Sequence, residues 1–227
     1  MAWWGASPHA IWLSHREAGA VAPAPASRAA VFLVGWLVMT VAMMLPGSLP
    51  LLTLFRRMVA ARPGRAGLLA RLGAGYLTMW AAVGAAALAG DTVVHAVAER
   101  VAGLDALLPP AVLLAAGAYQ FTRLKERCLA VCRSPLAFVA GRWRGSAPGR
   151  EAWALGLHHG LFCVGCCWTL MLVMFAVGVA HLGWMLGLGA LMTAERTMPW
   201  GRRLAKPAGA ALVAWALVTV AAGTTPF

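Results

Sequence analysis

The chain has 227 residues, of which 61% are hydrophobic and only 11% are charged, and its formal net charge is +12. Soluble domains carry about 25% charged residues, so the composition excludes an ordinary soluble domain and predicts a membrane protein. The basic residues lie in loops between apolar runs rather than on one polar face, which argues against a nucleic-acid-binding protein and favours a multi-pass topology.

Six apolar segments predict six transmembrane helices, preceded by a polar and aromatic segment, residues 1–28, on the outer side. Uncharged runs of about 18 residues or more are typical of spanning helices. Pro46 and Pro50 lie inside the first segment, where we expect a kink or a break just after Leu45. The basic segment between the third and fourth spans is expected to lose its helical structure at Pro135. The predicted spans are residues 29–54, 72–90, 104–122, 153–179, 184–197 and 207–222.

The distribution of positive charge predicts how these helices are oriented. With the amino terminus outside, three inner loops hold all but three of the 19 Lys and Arg residues, the exceptions being Arg16, Arg28 and Arg100. Cytoplasmic loops of membrane proteins are enriched in Lys and Arg. We therefore predict an all-α, polytopic membrane helix bundle with six transmembrane helices and with both termini on the outer side.

The fourth predicted span contains the sequence HHGLFCVGCCWTLMLVM, residues 158–174. At about 100° per residue, one arc of this helix holds three thiols, an imidazole and a thioether. The members of the arc are His159, Cys163, Cys166, Cys167 and Met174. Gly156 and Gly160 lie beside the arc, where a second backbone has room to approach closely. The thiols fall near the middle of the membrane if the span starts near Glu151.

Soft donors that face one way inside a membrane predict a site for a soft metal ion. Thiolate and thioether ligands select ions such as Cu(I), and imidazole binds Cu or Zn. One helix cannot complete a tetrahedral shell, so a partner helix must contribute, and Met39 and Met43 of the first span are the candidates. The predicted ligands are Cys163, Cys166, Cys167, His159, Met39 and Met43, with copper(I) preferred to zinc. The same pattern also fits a packing face, because buried Cys and Met commonly fill apolar cores.

Cys128 and Cys132 form a second thiol pair, in the sequence KERCLAVCRSP on the predicted inner side. Their i, i+4 spacing places the thiols one helical turn apart. Because a reducing compartment disfavours a disulfide, we predict a metal-handover or redox-sensing pair, with incidental cysteines on a lipid-bound surface helix as the alternative. Gln120 and Glu195 are candidate polar support, the first for a hydrogen bond between helices and the second for an ion pair or a cation path.

These motifs together resemble a bacterial domain-of-unknown-function family of predicted metal-binding integral membrane proteins. The similarity covers roughly residues 29–209 and includes WLVMTVAMMLP, AYQFTRLKERCLAVCRSP, GLHHGLFCVGCCWTLMLVMFAVG and WMLGLGALMTAER, in this order. The resemblance implies an all-helical fold in a bacterial inner (cytoplasmic) membrane, an outer side that faces the periplasm, and metal binding at the Cys, His and Met positions. The family pattern differs at two places, with Pro where this chain has Arg123 and Glu-Lys where it has Glu195-Arg196.

Three functions follow as hypotheses. The first is binding of a soft metal ion, Cu(I) before zinc, through an intramembrane Cys/His/Met cluster, for metal trafficking or sensing. The second is an accessory or scaffold subunit of a larger membrane complex without metal, and the third is a membrane thiol-redox module. The expected partners are the lipid bilayer, other membrane protein subunits or a metallochaperone, and no nucleic acid. Nothing in the sequence supports an enzyme, because it contains no catalytic triad, phosphate-binding glycine loop or carboxylate pair.

Overall fold

The computed structural model describes residues 25–98, 100, 104–177 and 182–223. Within these residues the chain forms eight α-helices and one 3₁₀ turn, and no β-strand. The prediction of an all-α fold is therefore confirmed. The predicted outer segment, residues 1–28, lies outside the described residues except for its last four.

The predicted spans coincide with six of the helices. These six are α1 (Pro25–Met58), α2 (Arg65–Ala98), α3 (Leu104–Tyr119), α6 (Pro148–Val177), α7 (Leu182–Thr197) and α8 (Ala205–Ala222). The other two helices, α4 (Arg123–Cys132) and α5 (Pro135–Ala140), lie in the basic segment. Ser134 separates α4 from α5, and Pro135 occupies the first turn of α5, where its missing N–H is tolerated. The helical part thus ends before Pro135, as predicted, but a second short helix starts there.

Four of the described helices are long and apolar enough to cross a membrane. They are α1, α2, α6, and α8 together with the 3₁₀ turn Gly201–Arg203 that precedes it. Helices α3 and α7 have 16 residues each, fewer than the roughly 20 that a bilayer-spanning helix needs. The structure therefore supports a protein with four candidate membrane spans. The count of six and the side on which the termini lie stay predictions.

Helix α1 continues through Pro46 and Pro50, so the alternative of a break after Leu45 is wrong. Each proline removes one backbone N–H from the helix. In the same region the Ser48 hydroxyl donates to the Met44 carbonyl oxygen, 3.1 Å away, and the Thr53 hydroxyl donates to the Leu49 carbonyl oxygen, 2.9 Å away in the preceding turn. Packing neighbours and hydroxyl donors of this kind allow apolar helices to contain proline.

Helices α2 and α6 form the centre of the fold and approach each other at backbone distance. A Cβ atom added at Gly75 would overlap the Trp153 carbonyl oxygen, and one added at Gly156 would overlap the Leu72 carbonyl oxygen. Gly160 also packs closely against α2. The prediction of a close backbone approach at Gly156 and Gly160 is therefore confirmed, and α2 is the partner.

The shorter helices meet beside the middle of α6. The Tyr119 hydroxyl, at the end of α3, donates to the Gly165 carbonyl oxygen. Helix α4 packs on the same stretch of α6, and the last turn of α7 contacts Cys166. The larger of the two apolar cores surrounds this level and includes all five cysteines. A smaller core, around Phe55 and Leu155, joins α1, α2, α5 and α6.

Candidate metal centre

The cysteines of α6 share one buried face, as the helical spacing predicts. Cys163, Cys166 and Cys167 are all at most 2% exposed. The Cys166 and Cys167 thiols donate to the Cys163 carbonyl oxygen, at 3.1 and 2.9 Å. A side chain that donates to the carbonyl three or four residues earlier points back toward its own helix. All five cysteines of the chain are free thiols.

Cys132 belongs to the same group of thiols. It is buried in the same apolar core as the α6 cysteines, because α4 packs on α6. One turn earlier, Cys128 Sγ lies 2.6 Å from the position of a Cβ added at Gly165, so a larger residue there would require Cys128 to shift. Both α4 cysteines are 7% exposed. The cysteine face of α4 is buried against α6, and the alternative of a lipid-bound surface helix with incidental cysteines stays a prediction. A handover role for the pair stays a prediction.

Helix α1 brings Met44 to the thiols, whereas Met39 and Met43 lie elsewhere. Cys167 Sγ is 3.9 Å from Met44 Sδ, and Met44 is fully buried. Met43 is also buried, but its Cγ lies 3.6 Å from a Cβ position at Gly189 of α7. Met39 is only partly buried at the edge of the core. We call the five sulfur-bearing residues that meet here, Met44, Cys132, Cys163, Cys166 and Cys167, the sulfur cluster.

Arg196 enters the sulfur cluster, and sequence reasoning did not find it. Its Nη2 atom lies 3.3 Å from Met44 Sδ and 3.4 Å from Cys166 Sγ. The side chain is 6% exposed. It passes over Gly47, where an added Cβ would lie 2.9 Å from Arg196 Cδ. The available signal was Gly47, three residues after Met44, together with a basic residue at the end of an otherwise apolar helix.

His159 is buried near the cluster but faces a different set of partners. Its Nε2 atom is 3.4 Å from Ser48 Oγ, and its ring stacks on Tyr76 with the centroids 5.7 Å apart. The Tyr76 hydroxyl forms a 3.1 Å hydrogen bond with the Cys163 thiol. The described contacts therefore link His159 to the cysteines through Tyr76. A cavity of about 110 Å³ between α1 and α2 opens onto Ser48, Tyr76 and His159.

A buried ion pair lies beside the sulfur cluster and connects α4 to α7. Lys125 Nζ is 2.8 Å from Glu195 Oε2, and the two side chains are 1% and 2% exposed. The same ammonium group donates to Gln120 Oε1. The structure thus joins the two residues predicted as polar support, with Glu195 paired to Lys125 of α4. Because opposite charges cancel within the pair, it adds no net charge to the site.

The donor chemistry of the cluster fits a soft metal ion, although its side chains do not converge on one. Among residues 25–98, 100, 104–177 and 182–223, no three His, Cys, Asp or Glu side chains form a group that could hold a metal ion. Two thiols are turned toward the Cys163 carbonyl oxygen, and the Arg196 guanidinium contacts both Cys166 and Met44. Four thiols and a thioether are donors that select Cu(I). Binding therefore requires rotation of the cysteine side chains and a shift of the guanidinium.

A family model described as PpoB2, copper chaperone, matches residues 33–219. The matched range contains every residue of the sulfur cluster, the Lys125–Glu195 pair and Arg196. No curated protein matches the chain, and no solved structure does.

Proposed function

The chain belongs to the PpoB2 copper chaperone family, and on that premise we propose that its buried sulfur cluster binds copper as cargo, in the form of Cu(I). The observation that carries the proposal is the composition of the cluster, four thiols and one thioether buried together with no carboxylate among them. Thiolate and thioether sulfur favour Cu(I) over harder ions. The family match favours copper handling over the scaffold and the thiol-redox hypotheses.

The proposed ligands differ in part from those that the sequence suggests. Cys163, Cys166 and Cys167 keep the role of thiolate donors, and Met44 replaces Met39 and Met43 as the thioether. Cys132 adds a fourth thiol from α4. Cys128 lies one turn earlier in α4, and we propose that it receives the copper ion when the ion leaves the cluster. His159 supports the site through Tyr76 and is not a first choice as ligand.

The membrane context belongs to the same proposal. Four apolar helices are compatible with a lipid bilayer, and we propose the bacterial inner membrane, six membrane-crossing segments and termini on the periplasmic side. The partners we propose are a metallochaperone or other membrane protein subunits that supply or accept copper. Copper transfer between thiols is a ligand exchange. We propose that a thiol of the partner protein takes part in this exchange at the cysteines of α4.

Copper content is the direct test of the proposed function. We expect detergent-purified protein, loaded anaerobically with Cu(I) and washed with a competing chelator, to retain about one copper ion per chain. A variant with Cys163, Cys166 and Cys167 all changed to Ser should retain only background copper, because three of the five sulfur donors are lost. Thermal unfolding of both proteins controls for folding. Equal copper in the two preparations, or no copper in the wild type, would reject the proposal.

Two adjacent methionines provide a matched test of the thioether ligand. We expect Met44→Leu to raise the Kd for Cu(I) at least about tenfold, a change of about 1.4 kcal/mol, because the sulfur near Cys167 is lost. Met43→Leu should leave the Kd within about twofold. Both side chains are buried, and Met-to-Leu changes conserve volume, so packing effects are similar. Titration against a chromophoric Cu(I) chelator measures both values, and a larger effect at Met43 would assign the ligand to the other face of α1.

A further inference from the structure

We propose that Arg196 is the fixed counter-ion of the copper–thiolate complex and thereby sets the affinity of the site for Cu(I). The inference rests on the proposed function and adds to it a residue that binds no copper itself. It starts from a buried cation that lacks an acidic partner in the described part of the chain.

The surroundings of Arg196 are sulfur. Its guanidinium Nη2 lies 3.3 Å from Met44 Sδ and 3.4 Å from Cys166 Sγ. The neighbouring carboxylate, that of Glu195, is bound by Lys125. Moving a guanidinium out of water costs several kcal/mol unless an opposite charge compensates it. The groups placed to provide that charge are the thiols.

Copper binding supplies the missing negative charge. Each thiol that binds Cu(I) loses its proton, so a complex with two thiolates carries one negative charge and a complex with three carries two. The guanidinium carries one positive charge, which offsets one of these negative charges. Because the site is buried, this attraction is only weakly screened by solvent or salt. The Arg196 side chain therefore stabilises the loaded state, in which it no longer contacts uncharged thiols.

The position of Arg196 is fixed independently of copper. It is in the last turn of α7 and follows Glu195, which is held by Lys125 at 2.8 Å. Arg133, directly after α4, donates to the Glu195 carbonyl oxygen at 2.6 Å. On the α1 side, Gly47 leaves the space through which the Arg196 side chain reaches the cluster. The backbone at Arg196 is thus held in place before the ion arrives, and only the guanidinium has to shift.

Affinity measurements on charge variants test this inference. We expect Arg196→Leu, which removes the charge without adding a sulfur donor, to raise the Kd for Cu(I) by about 10- to 100-fold, the range seen when a residue that supports metal ligands is lost. Arg196→Lys, which keeps the charge, should recover most of the affinity. Arg202→Leu is the control, because Arg202 is exposed in the 3₁₀ turn that follows α7, and removal of its charge should leave the Kd within about twofold.

The outcomes separate this inference from the proposed function. Wild-type protein that binds no Cu(I) rejects the proposed function itself. Wild-type protein that binds Cu(I) while Arg196→Leu binds equally well rejects only the role of Arg196. A lysine variant as weak as the leucine variant also rejects it, since the effect would then come from the shape of the guanidinium and not from its charge. If Arg196→Leu does not fold, Arg196→Gln replaces it, because glutamine removes the charge and keeps a polar end.

Discussion

Replacing Gly156 with valine should prevent the bundle from folding. The Cβ position at Gly156 is already occupied by the Leu72 carbonyl oxygen, which belongs to the backbone of α2 and cannot rotate away. Ordinary overpacking costs about 1–3 kcal/mol because side chains can shift. Here the two helices would have to separate along their whole contact, and the total stability of a folded domain is only about 5–15 kcal/mol. We therefore expect little or no monodisperse protein after detergent extraction.

The cysteines provide a convenient measurement for this prediction. All five are buried and free, so a thiol-reactive fluorophore reports unfolding as they become exposed. Gly187→Val is the matched control, because nothing lies within 4 Å of a Cβ at Gly187 in α7. The control should extract and unfold like the wild type. A Gly156→Val protein with an unchanged unfolding temperature would contradict the close contact between α2 and α6.

Patterns within one helix predict much of this structure. The positions of the helices follow from hydropathy, because a long uncharged run has few alternatives to a helix in an apolar environment. The buried face of α6 follows from the 3.6-residue period alone. Gly156 and Gly160 likewise indicate a close neighbour, although the sequence does not say which helix provides it.

Residues whose role depends on two distant helices are the ones that sequence reasoning misses. Lys125 lies in KERC, which has the composition of a solvated turn, and it is buried only because Glu195 is available 70 residues later. Met44 and Arg196 enter the site because α1 and α7 contact α6 at the same height along its axis. The residue pattern within one helix does not predict where along that axis the contact falls. The count of spans depends for a related reason on α3 and α7, which are short and pack on longer helices.

Lys125→Met should be the most destabilising single change among the polar residues. It leaves the Glu195 carboxylate, 2% exposed, without the ammonium group that compensates it. Breaking a buried ion pair by removing one partner typically costs about 3–5 kcal/mol, because an uncompensated charge stays buried. We expect a clear fall in the unfolding temperature. We also expect a lower copper content, since the pair holds α4 with Cys132 against α7 with Arg196.

A double variant tests whether the cost comes from the unpaired charge. Lys125→Met combined with Glu195→Leu removes both charges, and replacement of a whole buried pair by apolar residues is often neutral or stabilising. The double variant should therefore unfold at a higher temperature than Lys125→Met alone. If the two substitutions acted additively, the double variant would instead unfold at a lower temperature than either single variant. Additive destabilisation would mean that the two side chains act independently. If stability returns while copper retention does not, the hydrogen bonds of Lys125 to Gln120 and Glu195 position the sulfur cluster in addition to stabilising the fold.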